Sequence, residues 1–428
     1  MMKRNLLLLP IALMLWNATV AWAQDADSDK TLTWHGFVNP HMYLDSRQVV
    51  SGRENMMLFF PEPVVPDADG NDLNSTAALK MMSITTRLNL TVKGPDVMGA
   101  RTRAFIEGDF TGSTDATINN LRLRHAYIDM QWQNQSLLMG QYWYPMVVHE
   151  IMPGTNPLNM GAPFHPYARY SQLRYTQCLS KLEAVAVASF QLDNKSKGPE
   201  ESLALSQATL GSTDFQSRSL IPELHLQLRY KGERLFLGAA ANMLTIKPRN
   251  YVLDTNNGKH STSKTVTTFA YSLFGSYRFD GWVLKAQTLL NDNLYESCTM
   301  GGYYETRVLA GDIYRYSYDD WTYTTAWVDF GRTTGKWRPG VFLGYAVNND
   351  YSSLNDVIAA GAAIYGRGFD IKKMYRVQPR LVYQTDKGLM FQAEAEYSAA
   401  LYRTPLGTTH SEEWADNMRL SISAVYSF

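Results

Sequence analysis

The stretch Met418 to Phe428 reads MRLSISAVYSF, and its alternation decides the fold. Met418, Leu420, Ile422, Ala424, Tyr426 and Phe428 fall on one face of an extended strand, while Arg419, Ser421, Ser423 and Ser427 take most of the other. A period of two belongs to a strand, because successive side chains point to opposite faces. An apolar and aromatic face opposed to a hydroxyl-rich one suits a strand with lipid on one side and water on the other. The edge strand of a soluble sandwich could alternate in the same way, but it would leave Phe428 unprotected.

Upstream of this strand, no segment after residue 23 approaches about 18 consecutive apolar residues, so a membrane-embedded chain has to cross as a β-barrel. Residues 1–23 read as a signal peptide. Lys3 and Arg4 form its positive start, Leu6 to Val20 a mostly apolar stretch broken by Pro10 and Asn17, and Ala21-Trp22-Ala23 a small-x-small cleavage site. An uncleaved anchor helix is the alternative, and it would barely span about 30 Å of hydrocarbon. Cleavage leaves 24–30 as a short periplasmic segment and 31–428 as the barrel. The 428 residues carry 40 Lys+Arg and 40 Asp+Glu, which gives no basic footprint for nucleic acid. Two Cys are too few for a disulfide framework or a four-Cys metal site. Cys178 and Cys298 are expected to be free thiols at opposite ends of the barrel.

Tight turn signals punctuate the chain at Lys93-Gly94-Pro95-Asp96, Gln133-Asn134-Gln135, Gln177 to Lys181, Lys231-Gly232-Glu233, Asp280-Gly281, Gly331 to Lys336 and Asp386-Lys387-Gly388. These seven turns pair fourteen strands, and one free strand at each end makes sixteen. The spacing predicts strands near 31–46, 80–93, 99–111, 120–132, 136–144, 169–177, 181–193, 221–231, 233–246, 264–279, 281–293, 319–331, 337–349, 371–385, 388–402 and 414–428. The expected fold is therefore all-β: a transmembrane antiparallel β-barrel of 16 strands, with short periplasmic turns and long extracellular loops. The count becomes 18 if a loop such as Leu294 to Tyr318 hides a hairpin. Barrels of about 16 to 18 strands enclose an aqueous channel instead of a packed core. Tyr142-Trp143-Tyr144 at one level, and Trp282, Trp337, Tyr426 and Phe428 at the other, fit two interfacial girdles.

Alternation assigns faces. It sends Thr85, Arg87, Asn89 and Thr91 inward with Ile84, Thr86 and Leu88 outward, and Arg101, Arg103, Glu107 and Asp109 inward with Thr102, Ala104 and Ile106 outward. It sends Arg122 and Arg124 inward with Leu121, Leu123 and Tyr127 outward. Farther round, Arg174, His225, Gln227, Arg229, Arg376, Gln378, Arg380, Gln392, Glu394 and Glu396 face the lumen. Arg87, Arg101, Arg103, Arg122 and Arg124 then share one basic wall. Such a wall facing separate carboxylates biases passage by charge. The alternative is that these charges merely neutralise one another in pairs.

The segments Arg101 to Gly112 (RTRAFIEGDFTG), Leu121 to Met130 (LRLRHAYIDM) and Leu138 to Tyr144 (LMGQYWY) resemble the early strands of the DcaP-like and phosphate-selective porins of Gram-negative bacteria. The resemblance implies a sixteen-stranded homotrimeric channel for small, often anionic solutes, with a long third loop. Tyr426 and Phe428 resemble the C-terminal signal read by the barrel-assembly machinery, which implies an outer-membrane location among lipid and lipopolysaccharide. Two departures are visible: only Gln24 to Lys30 precede the first strand, too short for an N-terminal coiled coil, and no dense Lys/Arg ladder supports phosphate selectivity.

The third long connection, Pro145 to Ala168 (PMVVHEIMPGTNPLNMGAPFHPYA), is the expected constriction. Its prolines at 145, 153, 157, 163 and 166 disfavour helix and ladder, and its apolar Met146, Val147, Val148, Ile151, Met152 and Met160 would be costly exposed. By analogy with porin third loops it is expected to fold inward and present His149, Glu150 and His165 to solutes opposite the arginines. An external cap or a trimer contact is the alternative. Enzymatic signatures are missing. His149-Glu150 lacks a second His at the metalloprotease spacing, no G-x-S-x-G or phosphate-binding loop occurs, and Gly366-Arg367-Gly368 lacks the third Gly of a dinucleotide fingerprint. The reading is a non-enzymatic outer-membrane porin, without cofactor or metal, for passive diffusion of small hydrophilic solutes with weak anion preference. The alternative is a barrel enzyme or an occluded ligand-binding barrel.

Overall fold

The alternation repeats along the chain and builds sixteen antiparallel strands, each hydrogen-bonded to its neighbour in sequence. The computed structural model describes residues 31–156, 160–201, 210–403 and 412–428, so the signal peptide expected at 1–23 and the segment 24–30 lie outside the described residues. The strands are β1 (in two pieces, Leu32–Val38 and His41–Asp45), β2 (Ala78–Met82 and Arg87–Lys93), β3 (Arg101–Asp109), β4 (Arg122–Gln131), β5 (Gln135–Trp143), β6 (Arg169–Leu179), β7 (Leu182–Phe190) and β8 (Glu223–Lys231). They continue with β9 (Leu235–Ile246), β10 (Val266–Phe279), β11 (Trp282–Asn291), β12 (Tyr323–Arg332), β13 (Trp337–Asn348), β14 (Ile371–Gln384), β15 (Leu389–Arg403) and β16 (Glu412–Ser427).

Strand β16 pairs with β15 on one side and with β1 on the other, Phe37 standing opposite Ser427 and His41 opposite Ser423. Gly36 and Phe428 exchange two N–H···O bonds of 3.0 Å at this seam. A Cβ at Gly36 would lie 2.6 Å from the Arg87 carbonyl oxygen and 2.8 Å from the Phe428 ring, so the seam requires glycine. Closure leaves no strand edge, which is what lets a sheet sit in lipid. The short connections fall at the seven turn signals. Between β10 and β11, Asp280 and Gly281 both have positive φ, 45° and 82°, the backbone of a two-residue hairpin turn. On β8, Leu224, Leu226 and Leu228 are 43%, 65% and 69% exposed on the outer face, whereas Glu223, His225 and Gln227 face inward and are buried.

Three expectations fail where pairing departs from simple alternation. The first two strands are broken, β1 at Asn39-Pro40, where proline donates no ladder hydrogen bond, and β2 at Ser83 to Thr86. The breaks lie side by side, the Asn39 side-chain amide donating to Thr85 Oγ1 at 2.8 Å. Ile84, expected outward, turns in at the break and packs with Met56, Met82 and Ile118. On β4 a bulge places one extra residue, Arg124, between Leu123 opposite Gly108 and His125 opposite Glu107. A bulge inverts the parity of the residues beyond it. Tyr127, expected outward, therefore packs with Phe105 and Tyr142 on the inner face. The Gln141 amide donates 3.0 Å bonds to the carbonyls of both Leu123 and Arg124, the groups the bulge removes from the ladder.

A hairpin does hide in the connection after β11, but it does not raise the count to 18. Gly301–Ala310 pairs with Ile313–Trp321 on one side and with Ala363–Arg367 on the other in a three-stranded sheet at the loop end, separate from the wall. The strand expected from 319 consequently begins at Tyr323. A Cβ at Gly302 would lie 2.4 Å from the Trp321 ring and 2.3 Å from the Tyr365 carbonyl oxygen, so backbones approach closely here. Behind this sheet the buried Arg249 guanidinium forms two 2.8 Å bonds to Glu305 and lies 4.3 Å over the Tyr316 ring.

On the same hairpin, burial and the charges of Asp292, Asp319 and Asp350 push the Asp320 carboxyl up to about 7. A folded-state pKa above the unfolded value means the hairpin binds a proton the open chain would release. Its contribution to stability is complete at pH below about 4 and is lost as pH rises through about 7. Limited proteolysis of the loop end is expected to quicken between pH 5 and 8, and Asp320→Asn to remove that dependence. An unchanged pH profile in Asp320→Asn would assign the effect to another group.

Candidate functional site

The chain from Pro145 to Ala168 has too many prolines to form a ladder, so its backbone polar groups need other partners. Its root is pinned by Tyr144 N–H to the Ala168 carbonyl at 3.0 Å. From there its polar atoms are met by inward-facing side chains of the wall. Gln227 of β8 donates to the Pro145 carbonyl at 2.6 Å, and Lys285 of β11 to Met152 at 2.5 Å. Gly154 N–H donates to Asp329 of β12, and Asn156 N–H to Glu394 of β15, both at 3.0 Å. Arg376 of β14 donates to the Ala162 carbonyl at 2.5 Å, and Thr325 of β12 to Phe164 at 3.1 Å. Met146, Val147, Val148, Ile151 and Phe164 are buried in one apolar cluster with Phe236, Phe274, Leu289, Trp327 and Phe342 of the wall. At Gly344 a Cβ would lie 2.6 Å from the Phe164 ring, which explains a glycine on that inner face.

A second segment, expected among the outer loops, also enters the barrel. Val49–Gly52 pairs with Met57–Pro61, and Met57, Leu58, Phe59 and Phe60 are buried. Arg376 donates to the carbonyls of Leu58 and Phe59 at 3.3 and 3.1 Å, and Arg419 to Asn55 at 2.7 Å. The signal that could have found it is the run Met56-Met57-Leu58-Phe59-Phe60, an apolar cluster too large to leave exposed in a loop.

Several side chains expected to line the lumen are instead covered by these two segments. Arg376 and Glu396 are 1% exposed, lie 3.1 Å apart and act as anchors beneath them. Arg380 grips Asp329 through bonds of 2.6 and 3.1 Å beside Gly154, and Glu394 is shared by Asn156 and Gln378. His165 is fully buried, accepting or donating at 2.8 Å to Gln287 and standing edge-on to Trp327. It presents nothing to a solute, because the apolar packing of its loop carries it inside. His149 is exposed, while Glu150 lies 3.5 Å from Arg229 and 3.3 Å from Lys231, away from the basic wall it was expected to oppose.

The basic wall runs over β2 to β6. Arg122 and Arg124 are spent on carboxylates: Arg122 bonds both oxygens of Asp109 at 3.2 and 3.1 Å, and Arg124 bonds Glu107 at 2.7 Å and Asp109 at 2.6 Å. Arg103 pairs with Asp129 at 2.7 Å. Arg87 reaches Glu107 only at 3.6 Å, and that oxygen is already held by Arg124. Arg101 is exposed opposite Gln131, and Arg174 lies 5.5 Å from the Tyr142 ring centre; neither forms an ion pair among the described residues. Arg169, which sequence reasoning missed, donates to the Tyr167 hydroxyl at 2.8 Å and stacks 4.1 Å over Trp143. The wall thus combines a surplus of guanidinium groups with Phe105, Tyr127, Tyr142, Trp143 and His125, which a parity reading without the bulge could not assemble. Both cysteines are free. Tyr426 and Phe428 point outward, 54% and 57% exposed.

No protein-family model matches the sequence, and no curated protein matches it. Among solved structures, the outer membrane channel DcaP of Acinetobacter baumannii matches with a TM-score of 0.64 at 17% identity, over 94% of this chain and 99% of that one. The anion-selective porin from Comamonas acidovorans matches with a TM-score of 0.53 at 10% identity, over 94% and 100% of the two chains. OmpT of Vibrio cholerae in its trimer form matches with a TM-score of 0.53 at 9% identity, over 93% and 99%. This chain therefore has the fold of the outer-membrane porins, a closed sixteen-stranded barrel.

Proposed function

We propose that the protein is a porin-type channel of a Gram-negative outer membrane, admitting small hydrophilic solutes by passive diffusion with a weak preference for anions. The observation that carries this reading is the wall of β2 to β6, where Arg87, Arg101 and Arg174 touch solvent without a tight carboxylate partner. Guanidinium groups on a wall of low polarisability attract anions entering from water and repel cations. The segment 145–168, laid against the opposite wall, narrows the passage and brings permeating solutes close to those charges. The outward Trp337, Tyr426 and Phe428 support insertion and assembly in the outer membrane, whereas Tyr142, Trp143 and Tyr144, expected in the other girdle, are drawn to the interior by Arg174, Arg169 and Glu223. The likeness to a trimeric barrel supports a homotrimer.

Single-channel recording in a planar bilayer under a salt gradient tests the reading. Stepwise insertions with an anion-biased reversal potential are the expected result. Replacing Arg87, Arg101 and Arg174 together by Gln is expected to move the reversal potential toward cations while conductance persists. No movement would remove the selectivity from these residues. Silence from a folded barrel that also fails to swell liposomes with small sugars would mean that the two inward segments occlude the lumen, and would overturn the channel reading.

A further inference from the structure

On β5 the run Leu138-Met139-Gly140-Gln141-Tyr142 places a glycine in the lumen wall. Gly140 stands opposite Tyr127 of β4 on one side and Gln172 of β6 on the other. Its φ is +129°, and a Cβ would lie 2.2 Å from the Ala126 carbonyl oxygen, so only glycine fits. The wall between Tyr127 and Gln172 is therefore bare backbone. Aromatic rings border it. Tyr142, two residues along β5, meets Tyr127 edge to face with ring centres 5.1 Å apart. Tyr127 in turn lies 5.4 Å from Phe105 of β3, the two rings tilted by 32°. All three rings are half-buried, which leaves part of each open to the lumen.

The charge left uncompensated beside these rings is positive. Arg174 of β6, opposite Leu138, has its guanidinium 5.5 Å from the Tyr142 ring centre. Its Nε has no hydrogen-bond partner among the described residues. The nearby carboxylates are taken. Asp129 accepts from Arg103 and from Gln131, both at 2.7 Å, and Glu107 accepts from Arg124 at 2.7 Å.

A solute that uses this surface needs a flat face and a negative edge. The flat face can lie on Phe105 and Tyr127 beside the bare backbone of Gly140, in the offset or tilted contacts that aromatic rings prefer. The negative edge can reach Arg174, whose planar fork suits the two oxygens of a carboxylate. The steps of 5.5 Å from Arg174 to Tyr142 and 5.1 Å from Tyr142 to Tyr127 are on the scale of one substituted benzene. A sugar ring would instead call for free acceptors along its hydroxyls, and the carboxylates here are already spent.

We propose that Phe105, Tyr127, Gly140, Tyr142 and Arg174 form a binding station for planar aromatic carboxylates, and that such anions are the preferred solutes of the channel. Their passage rests on the channel reading; the binding station does not.

Calorimetric titration of the folded barrel in detergent with benzoate tests the station without any current. Cyclohexanecarboxylate has the charge without the flat ring, and benzamide has the ring without the charge. Benzoate is expected to bind at least about tenfold more tightly than either, and Arg174→Gln and Tyr127→Leu are each expected to remove most of that margin. Equal affinity for benzoate and cyclohexanecarboxylate would reduce the station to a plain charge and overturn the proposal. Equal affinity for benzamide, no saturable binding, or an unchanged margin in both folded variants would overturn it as well. If a variant does not fold, the three ligands on the wild type decide. A barrel that prefers benzoate yet carries no current would remove the channel and keep the station, whereas one that conducts without preferring benzoate would do the opposite.

Discussion

Replacing Arg376 by Met lowers the stability of the folded barrel by about 3–5 kcal/mol and loosens both inward segments together. Arg376 is the point where they meet the wall. Its guanidinium holds the carbonyls of Leu58, Phe59 and Ala162 and lies 3.1 Å from Glu396. Removing it strands a buried carboxylate and three backbone acceptors, the costly way to break a buried pair. Converting both partners, Arg376→Met with Glu396→Leu, is expected to recover the part of the loss that comes from the stranded carboxylate, while the carbonyls of Leu58, Phe59 and Ala162 stay without their donor. Urea titration of the barrel in vesicles reads the difference, and added current noise in the single variant reads the loosening. A single variant as stable as wild type would mean that the segments are held by apolar packing alone.

Excising the middle of segment 145–168, with a short Gly-Ser link between Pro145 and Ala168, is expected to raise single-channel conductance severalfold. The segment runs along the inside of the wall from Gln227 on β8 to Glu394 on β15, so it takes up cross-section within the barrel. Conductance of a water-filled pore depends on its narrowest cross-section, so removing the chain that fills it should dominate any point change. The excision also uncovers Phe236, Phe274, Leu289, Trp327 and Phe342 and leaves Lys285 without its carbonyl. A lower unfolding midpoint must accompany the larger current. Unchanged conductance from an excised barrel that still migrates as folded would show that the narrowest point lies elsewhere, with Met57 to Pro61 the next place to cut.

Much of this architecture is legible in the chain itself. Alternation from Met418 to Phe428, and turn residues such as Asp280-Gly281, are local signals: a strand's two faces and a hairpin's positive φ are set by a handful of adjacent residues. Strand count, the end that carries the turns and the outward apolar face come from such signals alone. What escaped is non-local. The extra residue at Arg124 and the break at Ser83 to Thr86 are visible only in the pairing with β3 and β1, yet the first inverts the faces beyond it, as Tyr127 shows, and the second turns Ile84 inward. Whether an inward arginine meets solute or is spent likewise depends on residues far away in the chain. Arg124 finds Glu107 and Asp109, Arg376 finds Ala162 and Leu58, and Arg419 finds Asp45, which stands 374 positions away. A period of two assigns a side chain to the lumen; only the folded chain, by burying two loops there, assigns it a partner, because that partner is chosen by cross-barrel packing and charge and not by its neighbours in sequence.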